Sequence, residues 1–156
     1  MKLKLTWVVA VLSCAPLAIA GDKVAYPTEN VAQFVLERLD VTSLPSAFRP
    51  KKEKAKKTFA DYGFSSQKVD ENHAIIEAAD GARRLVIKVL DQTSKGIYVC
   101  FADPGQNGGE PKTQSVVLLK RKDPNALLKG RESFREFAAC PVIGGTDSAA
   151  DLYGGD

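Results

Sequence analysis

Two cysteines are the residues whose type and spacing most directly suggest chemistry in this chain of 156 residues. Cys100 lies between Val99 and Phe101 in an apolar run, and Cys140 lies near the C-terminal end. A catalytic thiol needs an electropositive, partly exposed site, which the apolar neighbours of Cys100 do not provide. In an oxidising compartment two such cysteines usually pair, and closing a loop of roughly 40 residues would stabilise the fold by about 4 kcal/mol. We therefore predict a disulfide between Cys100 and Cys140.

The alternation of side chains along a strand predicts the orientation of Cys100. Tyr98 and Ala102 should share its face of the sheet, and the residues between them should take the other face. Cys140 ends an aromatic segment that must cover apolar surface. The two sulfur atoms can therefore approach each other if this segment lies on the face of Cys100.

Few other residues could support catalysis or bind a metal. His73 is the single histidine and follows a run of polar residues, so we expect it on the surface. With one histidine and a bridged cysteine pair, a zinc site is not expected. Three carboxylates, Asp61, Asp103 and Glu110, could meet in space as a hydrolase site, although their spacing does not indicate one. An enzyme is therefore the alternative to a binding protein.

The glycine-rich loop that begins at Asp103 contains oxygen ligands without a complete binding motif. It partly matches a calcium-binding EF-hand loop through Asp103 and Asn107. Gly105 and Gln114 stand where that motif requires an oxygen ligand and a glutamate. We therefore expect a wide hairpin loop here, and no metal or other cofactor.

The most concentrated charge in the sequence lies in residues 49–57, which we call the basic segment. Its basic residues are Arg49, Lys51, Lys52, Lys54, Lys56 and Lys57. No apolar periodicity runs through the segment, so we expect an exposed loop that is either simply solvated or bound to an anionic surface. Such a surface could be lipid headgroups, glycan phosphate or an acidic protein. Because no aromatic residues are interleaved with the basic ones, nucleic acid is not an expected partner.

The N-terminal residues have the order of a secretory signal peptide. Lys2 and Lys4 precede a mostly apolar stretch, residues 5–12, and Ala18 and Ala20 form a small-x-small cleavage site. The apolar stretch is too short to span a bilayer, which takes about 20 residues. We therefore expect cleavage after Ala20 and export, with the bacterial periplasm as the compartment.

Removal of the predicted signal peptide would change both the charge and the number of cysteines. The whole chain has 22 basic and 19 acidic residues and a net charge of +3. Loss of Lys2 and Lys4 leaves 20 basic and 19 acidic residues, a net charge of +1. Loss of Cys14 leaves Cys100 and Cys140 of the three cysteines. A nearly neutral chain does not favour nucleic acid as a partner. The residues around Cys14 loosely resemble a bacterial lipobox, and lipidation there would anchor the protein to a membrane. We expect membrane contact only in that case.

Hydrophobic periodicity predicts a single α+β domain over residues 21–143. The dipeptide Asp80-Gly81 lies between two β-rich runs and predicts a hairpin with a two-residue type I′ turn. Further strands at residues 97–102 and 114–121 should complete an antiparallel meander of about four strands.

Two helical segments should pack on one face of this sheet. The first, capped by Thr28 or Asn30, should run to about Leu39. The second should span residues 133–140, where two phenylalanines and Cys140 lie three residues apart. Beyond this segment, residues 144–156 have little apolar content and should form a disordered tail.

A signal peptide, an antiparallel sheet, one disulfide and an exposed charged loop together resemble the general build of small periplasmic inhibitor and immunity proteins. The resemblance is to a class of proteins and implies binding as the function. We therefore predict a non-enzymatic protein that recognises another envelope protein, because loops held by a rigid sheet commonly carry binding. A small secreted hydrolase and a lipid-anchored structural component are the alternatives. The candidate binding surface comprises Arg49, Lys51, Lys52, Lys54, Lys56, Lys57, Tyr62, Tyr98, Asp103, Asn107 and Glu110.

Overall fold

The computed structural model describes residues 25–104 and 112–140, so the predicted signal peptide and tail lie outside the described residues. Within the described ranges the chain forms one short α-helix and seven β-strands. In chain order these are α1 (Val31–Arg38), β1 (Leu39–Asp40), β2 (Phe64–Val69), β3 (His73–Ala78), β4 (Arg84–Thr93), β5 (Gly96–Asp103), β6 (Thr113–Lys120) and β7 (Leu128–Glu132). A single turn of 3-10 helix, Val41–Ser43, follows β1.

All seven strands belong to one curled sheet, a half-barrel with the strand order β1-β7-β6-β5-β4-β3-β2. Strands β2 to β7 form an antiparallel meander. Strand β1 pairs with β7 in parallel at one edge of the sheet, with Leu39 opposite Leu128. The prediction of about four antiparallel strands with an N-terminal and a C-terminal helix is therefore wrong, because the described chain forms a larger mixed sheet with one short helix.

Three strands are absent from the sequence-based prediction because none of them contains a β-rich apolar run. Strand β2 lies at the edge of the sheet and its four central residues are exposed, so it has no buried face to reveal it. Strand β7 contains Gly130, where a Cβ atom would lie only 3.1 Å from the side chains of Leu44 and Val117. This close approach favours glycine and interrupts the pattern. Strand β1 is only two residues long.

Helix α1 forms near the predicted position and packs against β3 and β4. It begins after Asn30, whose backbone is left-handed with a φ of 50° and whose side chain makes no capping hydrogen bond. Its buried residues are Val31, Ala32, Val35 and Leu36. The chain becomes extended at Leu39, which is buried as part of β1. No helix within residues 25–104 and 112–140 has the length and apolar character needed to cross a membrane.

The main core lies between α1 and one face of the sheet. Strands β3 to β7 contribute alternate side chains, namely Ala74, Ile76, Leu85, Ile87, Ile97, Val99, Phe101, Val117, Leu119 and Leu128. The irregular chain after β1 completes this core with Phe48 and Phe59, which are 1% and 3% exposed. Burial of each such ring contributes about 2 kcal/mol. This part of the chain therefore belongs to the core although it lacks regular structure.

The hairpin predicted at Asp80-Gly81 is present as the connection between β3 and β4. Its loop is longer than the two residues predicted, because the strands end at Ala78 and begin again at Arg84. Gly81 has a positive φ of 67°, whereas Asp80 is not among the described residues with positive φ. A two-residue type I′ turn would require positive φ at both positions. The sequence signal thus locates the hairpin but not its turn type.

The C-terminal segment, residues 133–140, covers the opposite face of the sheet, which we call the outer face. The helix predicted here is wrong, because the segment has no helical residues and ends in a turn closed by the Cys140 N–H and the Phe137 carbonyl. Phe137 packs against the outer face, whereas Phe134 is 95% exposed. The two phenylalanines therefore do not share a buried side. The segment and α1 also lie on different faces of the sheet, not on one face as predicted.

The predicted disulfide is confirmed. Cys100 and Cys140 are bonded across a sequence separation of 40, with their Cα atoms 5.7 Å apart. Cys100 shares the outer face with Tyr98, as strand alternation predicts, while Val99 and Phe101 belong to the main core. A disulfide of this kind indicates an oxidising, non-cytoplasmic compartment.

Candidate functional site

The basic segment, residues 49–57, is a surface loop with a buried aromatic residue on either side. Phe48 precedes it and packs on Phe101, with ring centroids 5.8 Å apart. Phe59 follows it and packs edge-on against Phe64 at 5.5 Å. The segment is therefore tied to the main core at both ends, while its own residues lie on the surface.

A reciprocal capping arrangement fixes the chain where the basic segment ends. The Asp61 carboxylate accepts hydrogen bonds from the backbone N–H groups of Lys57 and Thr58, at 2.9 and 2.8 Å. The Thr58 hydroxyl accepts in return from the Asp61 N–H at 3.3 Å. Because hydrogen bonds to a carboxylate favour its charged form, the backbone groups of Thr58 and Lys57 lower the pKa of Asp61 below its usual value. The Lys57 carbonyl also accepts from the Val41 N–H at 2.8 Å.

Tyr62 supports the middle of the basic segment. Its hydroxyl accepts a hydrogen bond from the Glu53 N–H at 3.1 Å, and Lys56 Nζ lies 5.4 Å from the centre of its ring. Lys56 also forms an ion pair with Glu53 at 2.9 Å. Of the six basic side chains, Lys56 is the one that is partly buried and engaged within the loop.

The other five basic side chains of the segment are exposed. Arg49, Lys51, Lys52, Lys54 and Lys57 have no ion-pair partner within the described ranges. Exposed charges of this kind add little to stability. Like charges on a fixed loop do raise the local electrostatic potential, so they can attract an anionic partner and speed its association.

Arg83 joins the start of the basic segment to the end of β5. Its guanidinium donates to the Ala47 carbonyl at 2.5 Å and interacts electrostatically with Asp103. Burial lowers the pKa of Arg83, and the nearby Asp103 carboxylate opposes that shift. The basic segment and Asp103 therefore lie at the same end of the sheet. Asn107 and Glu110, the other loop residues of the predicted surface, lie outside the described residues.

Tyr98, although it was predicted to belong to the same surface, does not lie with the basic residues of the segment. It lies on the outer face, 9% exposed, in one cluster with Cys100 and Cys140. The ring of Phe137 packs on it at 5.4 Å, and the guanidinium of Arg135 lies 4.9 Å from its centre. Tyr98 therefore packs against the C-terminal segment and helps to hold it on the sheet.

Of the residues considered for catalysis, Asp61, Asp103 and His73 lie in the described chain, and each has a structural partner. Asp61 caps the chain after the basic segment, and a carboxylate whose pKa is lowered is a poor general acid. Asp103 interacts with Arg83. His73 is partly buried, not exposed as expected, and its Nδ1 lies 3.9 Å from an Asp70 carboxylate oxygen. Among the described residues, no group of three or more His, Cys, Asp or Glu side chains could hold a metal ion.

Two contributors to this surface are missing from the sequence-based prediction of the site. The spacing Thr58-x-x-Asp61 is typical of a capping box and could have assigned Asp61 its structural role. Arg83 gives no such signal, because its contact with Ala47 depends on the fold.

No family model matches this chain, and neither does any curated protein or solved structure.

Proposed function

We propose that this protein is a secreted, non-enzymatic binding protein that recognises an acidic partner protein through the basic segment. The observation that carries the proposal is a contrast within residues 49–57. Lys56 is held by Tyr62 and Glu53, whereas the five other basic side chains are exposed and unpaired within the described chain. A loop already fixed in position loses little conformational entropy when it binds, which favours affinity.

The bacterial periplasm is the compartment that we propose. The Cys100–Cys140 disulfide supports an oxidising environment, and the signal-peptide pattern at the N-terminus supports export. In that compartment the partner would be an envelope-active enzyme or toxin with an acidic surface, and this protein would act as its inhibitor or immunity protein. Complementary charge would speed the association and fix the orientation of the complex.

Affinity capture from an envelope extract, followed by measurement of the affinity for the captured partner, tests this proposal. The informative variant combines Lys51→Gln, Lys52→Gln and Lys54→Gln, which removes three exposed charges and keeps the contacts of Lys56. We expect this variant to bind the captured partner about ten-fold more weakly, since exposed pairs contribute on the order of 0.5 kcal/mol each. The affinity of the wild type should fall as salt is raised.

A matched variant with Lys120→Gln, Lys129→Gln and Arg131→Gln provides the control. It changes the net charge by the same amount at exposed positions on β6 and β7. It should bind the partner as the wild type does. An equal loss in both variants would show that net charge governs binding, and the basic segment would then not be the recognition site. Failure to capture any partner that prefers the wild type would contradict the proposed function itself.

A further inference from the structure

The first part of the basic segment, residues 49–53, is an irregular stretch that is fixed on both sides, and we call it the braced stretch. None of its residues belongs to a helix, strand or turn, and its basic side chains are exposed. Just before it, the Arg83 guanidinium donates to the Ala47 carbonyl. At its end, the Glu53 N–H donates to the Tyr62 hydroxyl at 3.1 Å. The stretch is therefore held in one position although it has no regular structure.

Lys51 lies at the centre of the braced stretch, and its backbone is free. No hydrogen bond within the described chain engages the N–H or carbonyl group of Lys51 or Lys52. Pro50 has its φ fixed at about −65° and keeps the residue before it extended. An extended chain with free backbone groups can pair with a strand of another protein. Lys51 therefore offers a partner both a backbone that can pair and an exposed basic side chain.

The backbones of Arg49 and Lys54 are less free than that of Lys51. The Arg49 N–H donates to a carbonyl of the preceding turn at 3.0 Å. Lys54 lies within a turn, where the Lys56 N–H donates to the Glu53 carbonyl at 3.3 Å. A chain folded into a turn cannot also pair as an extended strand. Lys51 is therefore better suited than either residue to anchor the braced stretch in a partner.

We propose, on the basis of the function proposed above, that the acidic partner is a serine protease that cleaves after Lys or Arg, and that Lys51 enters its specificity pocket. A carboxylate in the pocket of such a protease complements a lysine side chain. The protease cleft also pairs with the backbone of an extended peptide, which the braced stretch leaves free. An anionic surface of lipid or glycan phosphate requires positive charge but no fixed backbone. The bracing therefore favours a protease as the partner.

The same bracing explains how the protein would inhibit the protease instead of being degraded by it. Attack of the catalytic serine on the Lys51 carbonyl forms an acyl bond, breaks the bond to Lys52 and transfers the serine proton, through the general base, to the Lys52 nitrogen. The new amine stays beside the acyl group, because hydrogen bonds at Ala47 and Glu53 hold both ends of the stretch. Reversal of the step therefore competes with hydrolysis by water. The next bond, between Lys52 and Glu53, is less suited to cleavage because its N–H is donated to Tyr62.

Inhibition of trypsin, a serine protease with this specificity, tests the proposal. The wild-type protein should compete with a small chromogenic lysine substrate, and mass spectrometry should show a slow cut after Lys51 alone. Lys51→Gln should weaken inhibition about 100-fold, as expected for loss of a central anchor residue. This loss exceeds that expected for exposed ion pairs, because a side chain enclosed in a pocket contributes more than an exposed one. Lys51→Arg should inhibit within about three-fold of the wild type.

Lys54→Gln is the matched control, because it removes the same charge from the same segment. It should weaken inhibition by no more than about three-fold. Tyr62→Phe tests the bracing, because it removes the hydroxyl that accepts from the Glu53 N–H. This variant should be cut after Lys51 about ten-fold faster than the wild type, as expected for loss of one hydrogen bond. Circular dichroism and thermal unfolding establish that each variant is folded.

Absence of inhibition by the wild type would overturn the proposal, as would rapid cleavage of the wild type by trypsin. Equal losses in Lys51→Gln and Lys54→Gln would also overturn it, because charge alone would then govern binding. Unchanged cleavage of Tyr62→Phe would contradict the role of the bracing. If the basic segment captures an acidic envelope protein that is not a protease, the function proposed above stands and this inference fails. The two proposals can therefore fail separately.

Discussion

Two irregular segments of this protein are attached to the same sheet in different ways. The basic segment, residues 49–57, lies between Phe48 and Phe59, which are buried in the main core. The C-terminal segment, residues 133–140, lies on the outer face and is bonded to β5 through the disulfide. Packing holds the first segment, whereas the second is held by a covalent bond together with a smaller packed cluster.

The difference follows from the apolar surface that each segment can bury. The buried residues of the outer-face cluster are Tyr98, Cys100, Val116 and Cys140. A cluster of this size gives limited hydrophobic stabilisation, and a disulfide adds about 4 kcal/mol by restricting the unfolded chain. The basic segment needs no such bond, because its anchors belong to the main core. A polar, irregular loop can thus be fixed in place if the residues on either side of it are buried.

Phe59→Ala should have the largest effect, because it removes a packing anchor of the basic segment. It should lower the free energy of unfolding by about 3–5 kcal/mol, since it leaves a cavity in the main core. Urea denaturation followed by circular dichroism measures this loss. The lysines of residues 49–57 should also become sensitive to trypsin in the variant before the rest of the chain does.

Phe134→Ala is the matched control for this prediction. It makes the same chemical change at a side chain that is 95% exposed. The free energy of unfolding should stay within about 0.5 kcal/mol of the wild type. Similar losses in the two variants would contradict the contrast between a buried and an exposed ring on which the comparison depends.

Replacing both cysteines, Cys100→Ser with Cys140→Ser, should have the next largest effect. Loss of the bond should lower the free energy of unfolding by roughly 2–5 kcal/mol. Amide hydrogen exchange should rise in residues 133–140 and stay unchanged in residues 49–57. The wild-type protein in the presence of reductant should behave in the same way. If neither the stability nor the exchange changes, the covalent attachment is not what holds the C-terminal segment.

Those parts of the fold marked by β-rich apolar runs were predictable from the sequence. The β3–β4 hairpin follows from Asp80-Gly81 between two such runs, and the face occupied by Cys100 follows from the alternation of side chains along a strand. Strand β2 is exposed at the sheet edge and β7 contains Gly130 at a close contact, so neither contains such a run. The predicted helix at residues 133–140 fails for a related reason. A spacing of three residues does not distinguish a helix from an irregular segment fixed by a disulfide.

The contacts that support the basic segment could not be predicted from the sequence, although its run of positive charge is evident there. The contact of Arg83 with Ala47 joins residues 36 apart in sequence, and only the fold brings them together. Asp61 illustrates a different limit, because the same carboxylate can serve catalysis or cap a turn. The spacing Thr58-x-x-Asp61 favours the cap, and the hydrogen bonds of Asp61 in the structure decide between the two roles.

Asp61→Asn should have the smallest effect, and its dependence on pH distinguishes charge from packing. In the folded state the backbone N–H groups of Thr58 and Lys57 hold the pKa of Asp61 below its usual value. A carboxyl with a depressed folded pKa stabilises the protein above its unfolded pKa, and this contribution is lost as the pH falls through the folded pKa. The side chain is fully exposed, so solvent screens its interactions and we expect only a small change in melting temperature.

The melting temperatures of wild type and Asp61→Asn, measured from about pH 6 down to about pH 2, test this expectation. The variant should melt lower at the higher pH, and the two curves should converge as Asp61 becomes protonated. Thr58→Ala removes the hydroxyl from the cap but keeps both backbone donors, so it should raise the pKa of Asp61 only part of the way to its usual value. Titration of the Asp61 carboxyl by NMR measures that shift. A difference in melting temperature that stays constant across the range would mean that Asp61 supports the basic segment through its shape and not through its charge.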